Sequence, residues 1–138
     1  MFVLFCWGLH SPEPVVFTGS TPCSEGSRPL PGMPANTPCE LMRWRLALYK
    51  HSFTLHCVYG ITKQGSNGFA GGGSSIDLHG EWVAAAAGGV PMVRLTDAAT
   101  GRVISFWKLN EKVLHLLDGG GRPMIGSGAW SYTLNCIK

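Results

Sequence analysis

Apolar and polar residues alternate with a period of two along most of this chain, and this pattern limits the fold more than any other feature. The clearest run is Phe53-Thr-Leu-His-Cys-Val-Tyr59, in which every second residue is apolar or aromatic. Side chains that alternate in this way lie on opposite faces of a β-strand, with one face buried and the other in solvent. Turn-forming stretches such as Asp97-Ala-Ala-Thr-Gly101 separate the runs. We therefore predict an all-β protein.

The spacing of the runs predicts how the strands are connected. About eight short strands follow one another at intervals of roughly ten residues, which is typical of an antiparallel meander. The first is expected at 15–19 and the last at 130–134. A meander avoids exposed edges by closing on itself. The predicted fold is a small antiparallel up-and-down β-barrel, lipocalin-like in shape, with a two-sheet sandwich as the alternative.

Three glycine-containing segments carry further expectations. Gly80 interrupts a strand pattern, which favours a β-bulge there. The stretch 65–75 is rich in glycine and serine and reads as a flexible loop. Residues 84–89 could form a single helical turn, cut short by the double glycine and by Pro91.

Composition excludes several classes of function. The 138 residues are enough for one domain with one core, and only 14% of them are charged. The net charge of +3 comes from scattered basic residues, so we expect no nucleic-acid partner. The sequence has no Gly-x-Ser-x-Gly motif, and its carboxylates lie mostly at turns. We therefore expect no catalytic residues and no enzyme activity.

The beginning of the chain looks different from the rest. Residues 1–14 are expected to be a truncated leader and spacer, and 15–138 the barrel domain. The opening apolar stretch is far shorter than the roughly 20 residues that cross a bilayer, and it lacks the basic start of a secretory signal. A truncated leader, rather than a misassigned start, would also explain the odd cysteine, Cys6.

Two Thr-Pro-Cys tripeptides, ending at Cys23 and Cys39, stand at either end of a proline-rich segment. The pair could form a disulfide, which would stabilise the fold by about 3 kcal/mol for a loop of this length. It could instead be a reducible or metal-binding thiol pair suited to Cu(I) or Zn, or two unpaired thiols. We favour the disulfide. Five cysteines in so short a chain also favour an oxidising compartment.

The other candidate ligands give weaker signals. Cys57 and Cys136 are expected to point inward, either as a second disulfide or as two buried thiols. Met33 and Met42 bracket Cys39 and would suit Cu(I), although packing is the commoner use of methionine. Each histidine stands alone, without a metal-binding motif, and His56 and His115 are expected to face solvent on strands. The tryptophans of four predicted strands are expected in the core, with an aromatic-lined pocket as the alternative; they are Trp44, Trp82, Trp107 and Trp130.

Several short motifs occur in a recognisable order. They are Gly19-Ser-Thr-Pro-Cys23, Leu46-Ala-Leu48, Phe53-Thr-Leu55, Gly80-Glu-Trp82, Leu114-His-Leu-Leu-Asp118-Gly-Gly-Gly-Arg-Pro123 and Tyr132-Thr-Leu134. In this order they resemble the N-terminal domain of the NlpE family, bacterial outer-membrane lipoproteins linked to copper tolerance and to sensing of envelope stress. One departure concerns the Cys-x-x-Cys of the family, whose second cysteine would fall at Gly26. Here Cys39 takes that role, as if an insertion had split the motif.

The resemblance implies a β-barrel domain of the cell envelope, in the periplasm or on an outer-membrane lipoprotein. It implies an envelope protein as partner, and membrane association only through a lipid anchor if the true N-terminus carries one. The expected function is non-enzymatic, in copper tolerance or envelope-stress sensing, with Cys23 and Cys39 as the Cu(I) or redox pair. The alternative is a lipocalin-like carrier of a small hydrophobic ligand.

Overall fold

The computed structural model describes residues 14–23, 29–30, 38–63, 65, 68–125 and 131–137. Each strand is antiparallel to the next, and the last strand pairs with the first, so the sheet is a closed barrel. The strands are β1 (Val15–Pro22), β2 (Leu41–Leu48), β3 (Ser52–Gly60), β4 (Ser74–Ala87), β5 (Val90–Asp97), β6 (Val103–Asn110), β7 (Val113–Leu116) and β8 (Thr133–Cys136). This architecture confirms the predicted up-and-down barrel. Of the leader predicted at 1–14, only Pro14 is among the described residues. Met33 and Trp130 also lie outside them.

The barrel interior is filled by apolar side chains that the period-two pattern places there. On β3, Phe53, Leu55, Cys57 and Tyr59 are buried and alternate with exposed or half-buried residues. Many interior side chains expose 0% of their surface, which leaves no water-sized space beside them; examples are Phe17, Leu46, Leu95, Phe106 and Leu114. An eight-stranded barrel has an interior just wide enough for such a core.

The tryptophans divide between the core and its margin. Trp44 is 3% exposed, and its ring meets that of Phe106 edge to face at a centroid distance of 6.2 Å. This contact confirms the core position predicted for Trp44. Trp82 is half-buried and packs against the same core, and Trp107 is also half-buried.

Tight turns connect the strands where the sequence predicted them. At the β5–β6 turn, the Gly101 amide donates to the Asp97 carbonyl at 2.8 Å. The Asp97 side chain accepts hydrogen bonds from the Thr100 hydroxyl at 2.7 Å and from the Ala99 amide at 3.4 Å. The β2–β3 turn is closed by the Tyr49 amide, which donates to the Ser52 carbonyl at 2.8 Å.

Strand β4 corrects two expectations. The alanines at 84–87 continue the strand instead of forming a helical turn, because Gly88 and Gly89 adopt φ of 59° and 83° and make a two-residue turn into β5. Gly80 pairs in regular register with Phe53 and Asp97, so no bulge forms there. The register shift lies instead between Lys108 and Asn110 in β6.

Residues 68–73, just before β4, are more ordered than the glycine-rich sequence suggested. Phe69 is 7% exposed and forms an isolated bridge with Thr62. The Arg43 guanidinium lies 5.0 Å from the centre of the Phe69 ring, a cation–π distance. A 3-10 turn at Ala70–Gly72 then leads into β4. A single aromatic side chain therefore anchors residues 68–73, which composition alone predicted to be part of a flexible loop.

Candidate functional site

The most distinctive site is the disulfide between Cys23 and Cys39, at one end of the β1–β2 pair. Pro22 and Leu41 are the last residues of this pair in register. Cys23 directly follows Pro22, and Cys39 lies two residues before Leu41. Their Cα atoms are 5.5 Å apart and their sulfur atoms are bonded. The predicted disulfide is therefore confirmed, and it closes the β1–β2 connection at its base.

The disulfide is part of the apolar core. Cys23 is 0% exposed and Cys39 6% exposed, and both belong to the same buried cluster as Leu30 and Met42. A buried disulfide is shielded from reductants, because thiol–disulfide exchange requires a thiolate to reach one of the sulfur atoms. An oxidised pair also offers no thiolate to a metal ion. Metal binding by these two residues would therefore first require their reduction.

A hydrogen bond between two buried side chains connects the first Thr-Pro-Cys tripeptide to the core. The Trp44 indole nitrogen donates to the Thr21 hydroxyl oxygen at 2.8 Å, and Thr21 is 1% exposed. Sequence reasoning did not identify this contact. The sequence places Thr21 in the tripeptide and Trp44 on the next predicted strand. Only the β1–β2 register shows that these two side chains lie close together.

The second predicted disulfide, between Cys57 and Cys136, does not form. Cys57 is a buried free thiol, and Cys136 is disulfide-bonded to another residue. The physical reason is the sheet order, in which β1 and β2 separate β3 from β8. Burial raises the pKa of the Cys57 thiol far above its ordinary value, and the negative charge of Asp77 raises it further. Cys57 therefore behaves as a small apolar core residue.

A groove on the outer surface of the barrel brings together side chains that are far apart in sequence. The register aligns Arg45, His56 and Asp77 in one row across β2, β3 and β4, and places His79 beside them. His56 Nδ1 donates to Asp77 Oδ1 at 2.7 Å. The groove has a volume of about 470 Å³. His56 is exposed as predicted, whereas His115 is half-buried, with Nε2 2.7 Å from the Met124 carbonyl oxygen.

The structure brings together few metal ligands. Among the described residues, no three His, Cys, Asp or Glu side chains come close enough to hold a metal ion. Met42 is buried in the barrel interior at 0% exposure, so it is used for packing. A copper site at Cys23 and Cys39 thus stays a prediction for the reduced protein.

The fold and this site define the class of the protein: a closed eight-stranded antiparallel barrel with a buried disulfide at the base of its first loop. Comparison of the chain with protein-family models, curated proteins and solved structures gives no match. No helix in the described part of the chain is long and apolar enough to cross a membrane.

Proposed function

We propose that this chain is a non-enzymatic barrel protein of the cell envelope, in which the Cys23–Cys39 pair takes part in copper tolerance or in the sensing of envelope stress. The observation that supports the proposal is the buried disulfide itself. Structural disulfides persist in oxidising compartments and are rare in the cytosol. The resemblance to the NlpE family supports the envelope location and an envelope protein partner, with membrane association only through a lipid anchor if the true N-terminus carries one.

The position of the disulfide supports a sensing role. It joins the ends of β1 and β2, and the Trp44–Thr21 hydrogen bond lies two residues from Cys23 along β1. Reduction would break the covalent link between the ends of β1 and β2 and leave two thiols at this end of the barrel. Most of the core lies on the strands, so the barrel would stay folded while this end changes. A partner protein could bind this end of the barrel differently in the oxidised and the reduced state.

Reduced thiols at this position suit Cu(I). Thiolates are soft ligands, and Cu(I) prefers such ligands over carboxylates or carbonyls. In the oxidised protein the sulfur atoms are bonded to each other, so we expect copper binding only after reduction. The copper response and the redox response would then share one switch.

The test compares the oxidised protein, the reduced protein and the Cys23→Ser/Cys39→Ser variant. Peptide mapping of the oxidised protein should give a fragment pair linked through Cys23 and Cys39. Titration with Cu(I) against a competing chelator should show one tightly bound ion in the reduced protein only. The double variant should lose this binding. Cys57→Ala is the matched control, because Cys57 is a buried thiol outside the pair, and this variant should keep the Cu(I) site.

Stability measurements complete the test. Urea unfolding of the double variant should show a free energy of unfolding lower by up to about 3 kcal/mol, with the β-sheet circular dichroism of the native protein preserved. Copper binding that survives in the double variant would contradict a thiol site at these residues. An absence of Cu(I) binding by the reduced protein would remove the copper role and leave the redox role.

The described part of the core does not support the alternative of a lipocalin-like carrier. Such a carrier needs an internal space for its ligand, whereas many interior side chains of this barrel expose none of their surface.

A further inference from the structure

Strand β4 extends beyond the strand that pairs with it on one side. Its pairing with β3 ends at Ser52 opposite Glu81, whereas its pairing with β5 continues to Ala87 opposite Val90. Residues 83–87, which we call the β4 edge, therefore have β5 on one side only. No described strand pairs with the other side. The edge is also accessible, since Val83 is 55% exposed and Ala84 and Ala86 are exposed.

The backbone groups that face outward along this edge follow from the alternation of an antiparallel strand. The Trp82 amide donates to the His51 carbonyl on the β3 side at 3.1 Å, and the His79 carbonyl accepts from the Ala98 amide on the β5 side at 2.9 Å. Even-numbered residues of β4 thus direct their N–H and C=O groups away from β5. Ala84 and Ala86 present these groups at the edge, ready to pair with another strand.

The edge lacks the features with which proteins usually protect such strands. Exposed edges commonly carry a lysine, a proline, an inward charge or a bulge that prevents pairing with another chain. From Trp82 to Val90 this hairpin has no charged residue and no bulge, and Pro91 lies on the opposite strand. The side chains at residues 83–86 are valine and alanine, small enough for a second strand to approach closely.

We propose that the β4 edge pairs with the same edge of a second copy of this chain to form a two-fold symmetric dimer. Antiparallel pairing of a strand with itself is self-complementary, as an isologous interface requires. With Ala85 on the two-fold axis, Ala84 of each copy lies opposite Ala86 of the other. Each of these two pairs exchanges two backbone hydrogen bonds. The outward groups of both residues are then satisfied.

The length of the edge fits this register. At Trp82 the outward amide already donates to the His51 carbonyl, so the free edge ends there. In the proposed register Gly88 of the second copy lies opposite Trp82, and at Gly88 that copy turns into its own β5. The glycine turn is narrow, and it ends the partner strand before it would meet the β2–β3 turn. The neutral side chains of the two edges bring no like charges together. These features favour a second copy over a charged peptide.

Cysteine cross-linking tests the register directly. In the proposed dimer the two Ala85 residues form a non-hydrogen-bonded pair with Cα atoms about 4.5 Å apart, within the range of a disulfide. Ala85→Cys should therefore give a covalent dimer under mild oxidation, seen on non-reducing gels and by intact mass. Val83→Cys is the matched control. Its two copies would lie four residues apart along the strands, about 13 Å, and should not cross-link.

Sedimentation velocity of the unmodified protein should show a species of twice the 14.8 kDa chain mass that grows with concentration. Ala84→Pro removes an outward N–H without touching the ladder to β5, and should weaken the dimer by about tenfold or more because two hydrogen bonds are lost. Ala84→Val keeps the N–H and should dimerise like the original chain.

A monomer at all concentrations, with no Ala85→Cys cross-link, would overturn the proposal and leave the edge to a different partner. Equal cross-linking of Ala85→Cys and Val83→Cys would overturn it as well, because it would show non-specific association or another register. The cross-linking pair decides the question even if Ala84→Pro does not fold.

Discussion

At the scale of single residues, the surroundings of each cysteine determine what its sulfur can do. Cys23 and Cys39 face each other across the end of two paired strands and form a disulfide. Cys57 is equally buried, but no described sulfur is bonded to it, and the apolar interior disfavours its thiolate. The same residue type thus serves as a covalent link in one place and as core packing in another.

We expect Cys57 to resist alkylation in the native protein. Its pKa is raised by burial, and the side chain exposes 0% of its surface, so both the thiolate and access to it are lacking. Labelling with iodoacetamide at pH 8, followed by mass spectrometry, should be slower than in urea by at least about two orders of magnitude. The unfolded, non-reduced protein is the control. Rapid labelling of the native state would contradict the buried position.

Asp97 should make stability depend on pH through its hydrogen bond with Thr100. This bond, with smaller help from backbone amides, lowers the pKa of the Asp97 carboxyl in the folded state. A lowered folded pKa contributes stability above the unfolded value, about 4, and this contribution is lost as the pH falls through the folded pKa. Thr100→Val should therefore destabilise the protein more at pH 7 than at pH 3, measured by urea unfolding. An equal loss at both pH values would contradict the role of the charge.

At the scale of elements, β4 joins the two halves of the barrel wall. Its first half pairs with β3 and its second half with β5, and the two ladders overlap at Gly80 and Glu81. A Cβ at Gly80 would collide with the Thr96 carbonyl oxygen and lie 3.1 Å from the Phe53 ring. The absence of a side chain there lets β5 and the core approach the strand closely.

Gly80→Ala should therefore destabilise the barrel by about 2 kcal/mol or more, because a backbone atom must move to admit the methyl group. Gly119→Ala is the control, since a Cβ at Gly119 meets nothing within 4 Å. Its free energy of unfolding should stay within about 0.5 kcal/mol of the original value. Chemical unfolding followed by tryptophan fluorescence measures both. Equal stability of the two variants would show that the close approach at Gly80 is easily relieved.

At the scale of the whole molecule, the barrel is closed and its interior is occupied by its own side chains. The Trp44–Phe106 contact lies in this core, together with buried residues from every strand except β4. Ile76, Leu78 and Trp82 of β4 are partly buried and pack against it. Such a core stabilises the fold through apolar burial and close packing. It also determines which ligands the native protein can accept.

An apolar dye such as 1-anilinonaphthalene-8-sulfonate should not bind the native protein in a saturable way. The half-buried Trp82 and the buried Trp44 would report an occupied interior through a change in tryptophan fluorescence, and we expect none at saturating dye. Protein partly unfolded in urea provides the positive control. A saturable change with one site per chain would instead support the carrier function.

Much of this protein follows from its sequence because period two is a local property. Strand after strand, the identity of neighbouring residues determines which side chains share a face, and the turn residues at Asp97 and Gly101 determine where a strand ends. This is enough to predict an all-β barrel, the inward position of Cys57 and the core position of Trp44. It was also enough to favour the Cys23–Cys39 disulfide, because the two tripeptides flank one loop.

The remaining features depend on register and strand order, which are properties of the closed sheet. Only the order β3-β2-β1-β8 shows that Cys57 and Cys136 are too far apart in the sheet to pair. Only the register aligns His56 with Asp77 and brings Trp44 within hydrogen-bonding distance of Thr21. The unpaired edge of β4 arises because β3 ends before β4 does. The sequence of one strand alone does not show where its neighbour in the sheet ends. The sequence thus determined the strands and which side chains share a face. The tertiary structure decided which faces, sulfur atoms and strand edges meet, because the closure of the barrel sets the pairing of residues that are far apart in the chain.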